Sequence, residues 1–513
     1  MKRTFFLLIL FVFLPLIYHQ SCLADSPQMD KLYQAIHTGK QQIYHFHLDS
    51  ALQVFRSIQQ EYPDYPHGYF YESYITAIYF SQDKTNSSLD SLLNLTVQRA
   101  VSVGEVYKDN YPNDPESSYY LGVSYGILGI YHVLNRNYLK AYFNGRRGIG
   151  YLEKVVEMDS TYYDAYLGLG IFHYYVDLLP GIIKFFAGIL GLHGDRLQGI
   201  REIHWTARRG QFFAVEAEFA YATIRYFLEG EQSSSLRTFQ KLQHQYPQNP
   251  AVTLIIGYHY RRTGQVHKAL SYFTLVPERH EDDLPQITVM KYYNIGVCYF
   301  KLNLFRKSEE VFDQIIYKPI RITPYYQSAL AYYKGLLSDM LHDRGTAERY
   351  FSMIRNGKHT QYWYNISRLY EKFPLDSLMR LYVRAGNEVF VADFESAEKH
   401  IQEIRRLMAD SHITPAVPYF EYLAKDLFAR FEFRRRNVKE SAEIYRSFIA
   451  HADEVKDDFQ RAWIYIQYAR VLRELREWGE AEKMLKIAES CDDEYTRLII
   501  TREKFIIKKK SSA

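Results

Sequence analysis

The chain has 513 residues, of which 47% are hydrophobic and 24% charged, with a net charge of +4. That composition excludes wholesale disorder and a polytopic membrane protein, and the small net charge gives no reason to expect a nucleic-acid ligand. Tyr is abundant at 48, against 26 Gly and 16 Pro, so few helix breakers interrupt a long aromatic-rich chain and helix is the expected state.

Residues 1–24 read as a signal peptide. Lys2 and Arg3 form a positive start, and Phe5 to Ile17 run without a charge. That stretch falls short of the roughly 20 apolar residues a spanning helix needs and suits an export signal. Cys22-Leu23-Ala24 offers small residues to a signal peptidase, with Asp25 as the expected mature N-terminus. His19 and Gln20 stand where a bacterial lipoprotein signal has Leu and a small residue, so soluble export, to a periplasm or envelope in a diderm bacterium, is expected over lipidation at Cys22 or an uncleaved anchor. Only Cys298 and Cys491 would remain, too far apart for a disulfide framework or a metal site.

A repeat then begins. Gly39, Ala51, Phe55 and Pro63 mark a first unit; Gly148, Leu152 and Ser160 close another, and Ser235, Phe239 and Pro247 a third. The clearest unit has Ile256-Gly257, Tyr260, Gly264, Ala269 and Phe273, and the next has Ile295-Gly296, Tyr299, Asn303, Ser308 and Phe312 at the same offsets. Small residues twelve apart let two helices approach closely, and the aromatic four residues later is expected to plug the next unit. Gly264 and Asn303 fall where the turn needs a left-handed residue. Gly335 with Ala347 and Phe351, Ala385 with Ala397 and Ile401, Ser441 with Tyr445, and Ala469 with Ala481 and Leu485 continue the pattern. These units resemble the tetratricopeptide repeat, a helix–turn–helix module. The expected fold is all-α, a solenoid of about nine or ten helix pairs, well above the roughly three a stack requires. Two arrays are expected, 25–275 and 276–510, with a seam in the acidic, proline-containing stretch 276–286.

One segment departs from the period. Gly168 and Gly199, expected as the small positions of one unit, lie 31 apart, and an apolar insertion, 177–196, separates them. Leu167 to Tyr175 followed by Leu179, Pro180 and Lys184, and then Gly194, Asp195, Arg196 and Gly199, is similar to the tetratricopeptide repeat protein 39 family and the related mitochondrial outer-membrane inclusion-body-clearance proteins. The resemblance implies an all-helical protein without catalytic activity. Residue by residue, Pro180 suits a helix start, and Asp195 with Gln198 suits a capping box. Residues 178–192 carry one charge, Lys184; Ile182, Phe185, Phe186 and Ile189 make an apolar stripe that either fills the solenoid or meets a lipid or protein.

Chemical motifs are sparse. Gly122-Val-Ser124-Tyr-Gly126 matches the serine-hydrolase string, but it lies in a helical pattern where no nucleophile elbow can form. His45, His47 and Asp49 alternate, which on a helix would make them diverge. No metal, cofactor or catalytic residue is expected. In the repeat family the first helix of each pair lines the groove. From Gly257 that gives Leu254, Tyr258, Arg261 and Arg262; from Gly296 it gives Tyr293, Val297, Phe300 and Lys301. Tyr258, Arg261, Arg262, Tyr293, Phe300 and Lys301 are the expected partner-binding residues, aromatics beside cations that suit an extended peptide. The carboxylate clamp of the family needs Lys and Asn where Leu254, Tyr258, Tyr293 and Val297 stand. The expected function is an exported, non-catalytic scaffold for a protein or peptide of unknown identity, with a membrane-associated module built on 178–192 as the alternative.

Overall fold

The computed structural model describes residues 27–178, 193–278, 284–490 and 493–511. The export segment, residues 179–192 of the insertion with Leu179, Pro180 and Lys184, and Cys491 lie outside these. Among the described residues there are 24 α-helices and no strand, and none of the helices is long and apolar enough to cross a membrane.

Twenty-two of the helices form eleven consecutive pairs; Gln361–Lys372 and Glu494–Ser511 stand alone. The count exceeds the expected nine or ten because the pair Pro66–Gln82 and Ser87–Asn110 contains no Gly or Ala couple twelve apart. Several first helices begin on a proline, as at Pro66, Pro115, Pro285 and Pro324, where a missing N–H costs nothing. Nine of the eleven internal turns hold a residue with positive φ, always two places before the second helix. Gly264 (φ 82°) and Asn303 (φ 58°) are two of them, as expected; Phe46, Ala392 and Arg476 show that the turn imposes this conformation on side chains that rarely adopt it.

The spacing has a direct packing meaning. A Cβ added to Gly39, Gly257, Gly296 or Gly335 would stand 2.4–2.5 Å from the ring of Phe55, Phe273, Phe312 or Phe351, sixteen residues later. The aromatic therefore seats first on the glycine of its own pair, and not simply on the next unit as the sequence suggested. Phe312 does both, since its ring also lies 5.6 Å from Tyr333 of the following pair. The small residue twelve places on binds as well as fits: Ser308 Oγ donates to the Gly296 carbonyl at 2.8 Å, and Ser441 Oγ to that of Ala429 at 2.7 Å.

The helices group into two compact units that divide between Val252 and Thr253, inside helix Pro250–Arg262. The N-terminal unit closes on itself. Its first helix, Pro27–Tyr44, reaches residues 212–216: Lys40 Nζ donates to the Phe212 carbonyl and sits 3.7 Å from the Glu216 carboxylate, while Tyr44 Oη donates to Glu216 at 3.0 Å. Asp164 accepts from the Phe213 N–H at 2.7 Å. All of these side chains are buried, and burial dominates their ionisation: Glu216 is pushed up to about 7, Asp164 up to about 6, and Lys40 down to about 8. Tyr71, Tyr74, Tyr119 and Tyr120 fill the rest of the interior with essentially no exposure. A cavity against Tyr44, Tyr74 and Glu216 holds about 40 Å³, room for water and not for a ligand.

Candidate partner-binding groove

The insertion motif of the N-terminal unit is a structural clasp where it is described. Asp195 caps helix Arg196–Arg209, its carboxylate accepting from the Gln198 N–H at 2.9 Å. Arg196 grips the buried Glu229 with two guanidinium nitrogens, and Tyr174 Oη donates to the same carboxylate at 2.7 Å. Glu229 was not foreseen from the sequence, since nothing local ties it to a motif 33 residues upstream. The close helix approach is made by Gly170 and not by Gly168: a Cβ on Gly199 would meet the Gly170 carbonyl at 2.5 Å. A Cβ on Gly194 would strike the Asp177 backbone at 2.2 Å, so this glycine lets the two described ends of the insertion meet.

The remaining chemical strings have structural explanations. Ser124 is fully buried inside helix Pro115–Leu134, where Gly122 permits contact with Gly148. His47 is hydrogen-bonded to Gln42 and Gln248, Asp49 accepts from Tyr79 Oη, and the His45 ring packs edge-on against Tyr246 at 5.6 Å, so each candidate ligand is engaged within the fold. No metal-ligating cluster occurs among the described residues. Cys298 is buried, and burial raises its thiol to about 12, the inert state expected for a core cysteine.

The C-terminal unit differs. Tyr258, Arg261, Arg262 and Lys301 are half-buried, whereas Leu254, Tyr293, Val297 and Phe300 are buried. Phe300 packs on Phe305 and Tyr333 at 5.4 and 5.2 Å, so it supports the wall from behind and does not line it; Tyr293 is held by Phe312, Tyr326 and Tyr333. Arg261 lies over the Tyr258 ring at 5.5 Å. Lys301 Nζ donates to Asn387 Oδ1 at 3.0 Å and faces the Phe390 ring at 5.3 Å. Burial, and then the nearby guanidiniums of Arg430 and Arg261, lower its ammonium to about 8. Residues far apart in sequence thus share one inward space.

Aromatic rings run continuously through that space. Tyr293 contacts Tyr326 at 5.2 Å, Tyr326 contacts Tyr325 at 5.1 Å, and Tyr325 contacts Trp363 at 5.7 Å. Trp363 leads to Tyr362 at 5.0 Å, Tyr362 to Tyr495 at 4.7 Å, and Tyr495 to Trp463 at 6.3 Å. Tyr325 is 41% exposed and Tyr495 39%, whereas Tyr293 and Trp363 are buried, so the ladder is rooted in the core and reaches the surface at Tyr325 and Tyr495. Tyr495, on the last helix, also feels Tyr258 and Arg261 on the first helix of the unit, and Arg470. The unit therefore curls around a tyrosine-lined groove.

Sequence reasoning missed Tyr325, Tyr362, Tyr495, Trp463, Arg430 and Arg470. The offsets that pointed to Arg261 and Lys301 give Tyr332, Leu336, Asp339 and Met340 in the next pair, all buried. There the groove wall comes instead from the first turn of helix Pro324–Met340, at Tyr325 and Tyr326. The Tyr-Tyr step straight after a helix-starting Pro324 was the available signal.

The helix-pair repeat, its left-handed turns and the glycine–phenylalanine packing define a protein of the tetratricopeptide-repeat class. The family Iml2/Tetratricopeptide repeat protein 39 matches residues 162–362, a span that contains the insertion motif and extends into the C-terminal unit. Among solved structures the chain is similar to a tetratricopeptide repeat protein from Parabacteroides merdae, at 17% identity over 56% of this chain and 98% of that one, with a TM-score of 0.24. It is also similar to yeast Tom70, at 13% identity over 96% and 93%, TM-score 0.33, and to a human IFIT1 dimer with PPP-AAAA, at 12% over 80% and 94%, TM-score 0.36. No curated protein sequence matches.

Proposed function

We propose that the chain is an exported, non-catalytic scaffold whose C-terminal unit holds an extended protein or peptide segment in its groove. One observation carries this reading: the unbroken ladder from Tyr293 to Trp463, partly exposed and flanked by Arg261 and Lys301. Rigid aromatic side chains lose little entropy on binding and offer both apolar faces and hydroxyls to a peptide backbone. Export rests on the pattern of residues 2–24 alone.

Selection of random peptides on the full chain, followed by titration against Tyr325→Ser and Tyr495→Ser variants, tests the groove. Selected peptides should lose about tenfold or more in affinity for either variant, as hot-spot aromatics do. Peptides that bind both variants as tightly as the wild type would place the binding surface elsewhere.

A further inference from the structure

Three donors in or beside the ladder are unpaired: Arg261 Nε, Trp363 Nε1 and Trp463 Nε1 are buried with no hydrogen-bond partner among the described residues. All three are N–H groups, and two sit on indoles that belong to the aromatic ladder. Buried donors left unpaired are costly, so a site rich in them is built for something that brings acceptors.

The charges agree. Arg261, Lys301, Arg430 and Arg470 act on the same inward space. Among the described residues, three carboxylates near it are already engaged. Asp426 binds Arg430 at 2.7 Å and accepts from Tyr445 Oη at 2.8 Å. Glu503 is shared by Arg470 and Arg473, and Asp493 caps the last helix through the Thr496 N–H at 2.7 Å. Lys301 has an amide oxygen and two rings as neighbours, and no carboxylate pairs with it among the described residues. With Arg430 and Arg470 paired, Arg261 and Lys301 are the cations of this group without a carboxylate partner among the described residues, and an anionic guest would supply one.

We infer that the segment bound in the C-terminal groove is acidic: an extended peptide whose Glu or Asp side chains meet Arg261 and Lys301 while its other side chains stack on the Tyr325–Tyr495 ladder. This rests on the groove reading above and adds the chemistry of the guest. A peptide fits better than a nucleic acid because a net charge of +4 over 513 residues supplies no field for a phosphate backbone.

The test uses the full chain and three fluorescent probes of about twelve residues, a length that reaches ~40 Å when extended. The probes are a Glu-Tyr alternating peptide, its Gln-Tyr counterpart and an oligothymidylate of equal length. The Glu-Tyr peptide should bind at least about tenfold tighter than the Gln-Tyr peptide and weaken several-fold between about 50 and 300 mM salt. Arg261→Gln and Lys301→Gln should each erase most of the Glu-over-Gln preference, with circular dichroism confirming the fold. Equal affinity for both peptides, each weakened by Tyr325→Ser, would overturn the acidic guest and leave the groove standing. Glu-Tyr binding indifferent to Tyr325→Ser and Arg261→Gln would remove both readings. Tighter binding of the oligothymidylate, or no Glu-Tyr binding at millimolar concentration, would also overturn the inference.

Discussion

The two units use one helix pair and one aromatic alphabet to opposite ends. In the N-terminal unit the interior tyrosines Tyr71, Tyr74, Tyr119 and Tyr120 are essentially unexposed, and a buried Lys40–Glu216–Asp164 cluster draws the first helix onto residues 212–216. In the C-terminal unit Tyr325 and Tyr495 keep about two-fifths of their surface and stand beside cations. In the N-terminal unit buried charges tie the first helix to residues 212–216 and the interior is a core; in the C-terminal unit polar ties such as Lys301–Asn387 leave Tyr325 and Tyr495 in part exposed.

The sharpest way to break that contrast is to cut the clasp. Lys40→Ala should destabilise the N-terminal unit by about 3–5 kcal/mol, because Glu216 is left buried without its cation. The double change Lys40→Met with Glu216→Leu should recover much of this loss, since a packed apolar pair avoids both desolvation costs. Urea denaturation of both variants reads the difference; an unchanged midpoint for Lys40→Ala would mean the clasp does not hold the unit closed.

A smaller effect is expected in the other unit. Gly257→Leu puts a side chain where even a Cβ would lie 2.5 Å from Phe273, and overpacking of this kind costs about 1–3 kcal/mol. Repeats couple mainly to their neighbours, so hydrogen exchange should rise around residues 253–316 and leave the body of the N-terminal unit unaffected. Uniform loosening of the whole chain would contradict the division into units.

Smaller again, Arg196→Gln should cost about 1–2 kcal/mol by releasing Glu229 from a charge-assisted pair, with Tyr174 keeping one hydrogen bond. A neutral outcome in thermal denaturation would show that the motif serves something other than this clasp.

The pH response sharpens the comparison further. The folded N-terminal unit keeps protons on Asp164 and Glu216 up to about 6 and about 7, whereas the unfolded chain releases them near ordinary carboxylate values. Between those limits the folded state binds more protons, so these groups favour folding at low pH and their contribution is lost as pH rises towards 7. Lys40, lowered to about 8, works in the opposite sense above that value, its penalty fading as pH rises towards 10.5. Denaturation midpoints should therefore fall from about pH 5 to 7 in the wild type, and the slope should flatten in the variant carrying both Asp164→Asn and Glu216→Gln. An unchanged slope would exclude these carboxyls as its source.

The repeat was legible because its packing rule is local. A glycine, a small residue twelve on and a phenylalanine sixteen on sit within one helix pair, and Gly257, Gly296 and Gly335 announce it unaided. The pair 66–110 escaped because it uses other side chains for the same contact, and Gly168 was chosen over Gly170 because both fit a helical pattern two residues apart. Of the expected groove set, Tyr258, Arg261, Arg262 and Lys301 are half-buried, whereas Tyr293 and Phe300 are buried. Tyr362, Tyr495 and Arg470 could not be read this way: their place depends on how helices more than a hundred residues apart curl towards one another, and no local spacing encodes that. Glu229 and Glu216 were hidden for the same reason, each being the far half of a long-range ion pair.

The contrast between a closed and an available interior is tested most directly by hydroxyl-radical footprinting of the native full chain, with oxidation read at each tyrosine by mass spectrometry. The expected result is strong labelling of Tyr325 and Tyr495, suppressed when the Glu-Tyr peptide is added, and little or none of Tyr71, Tyr74, Tyr119 and Tyr120. Labelling of the two sets to the same extent, or protection of Tyr325 and Tyr495 without any peptide, would contradict it.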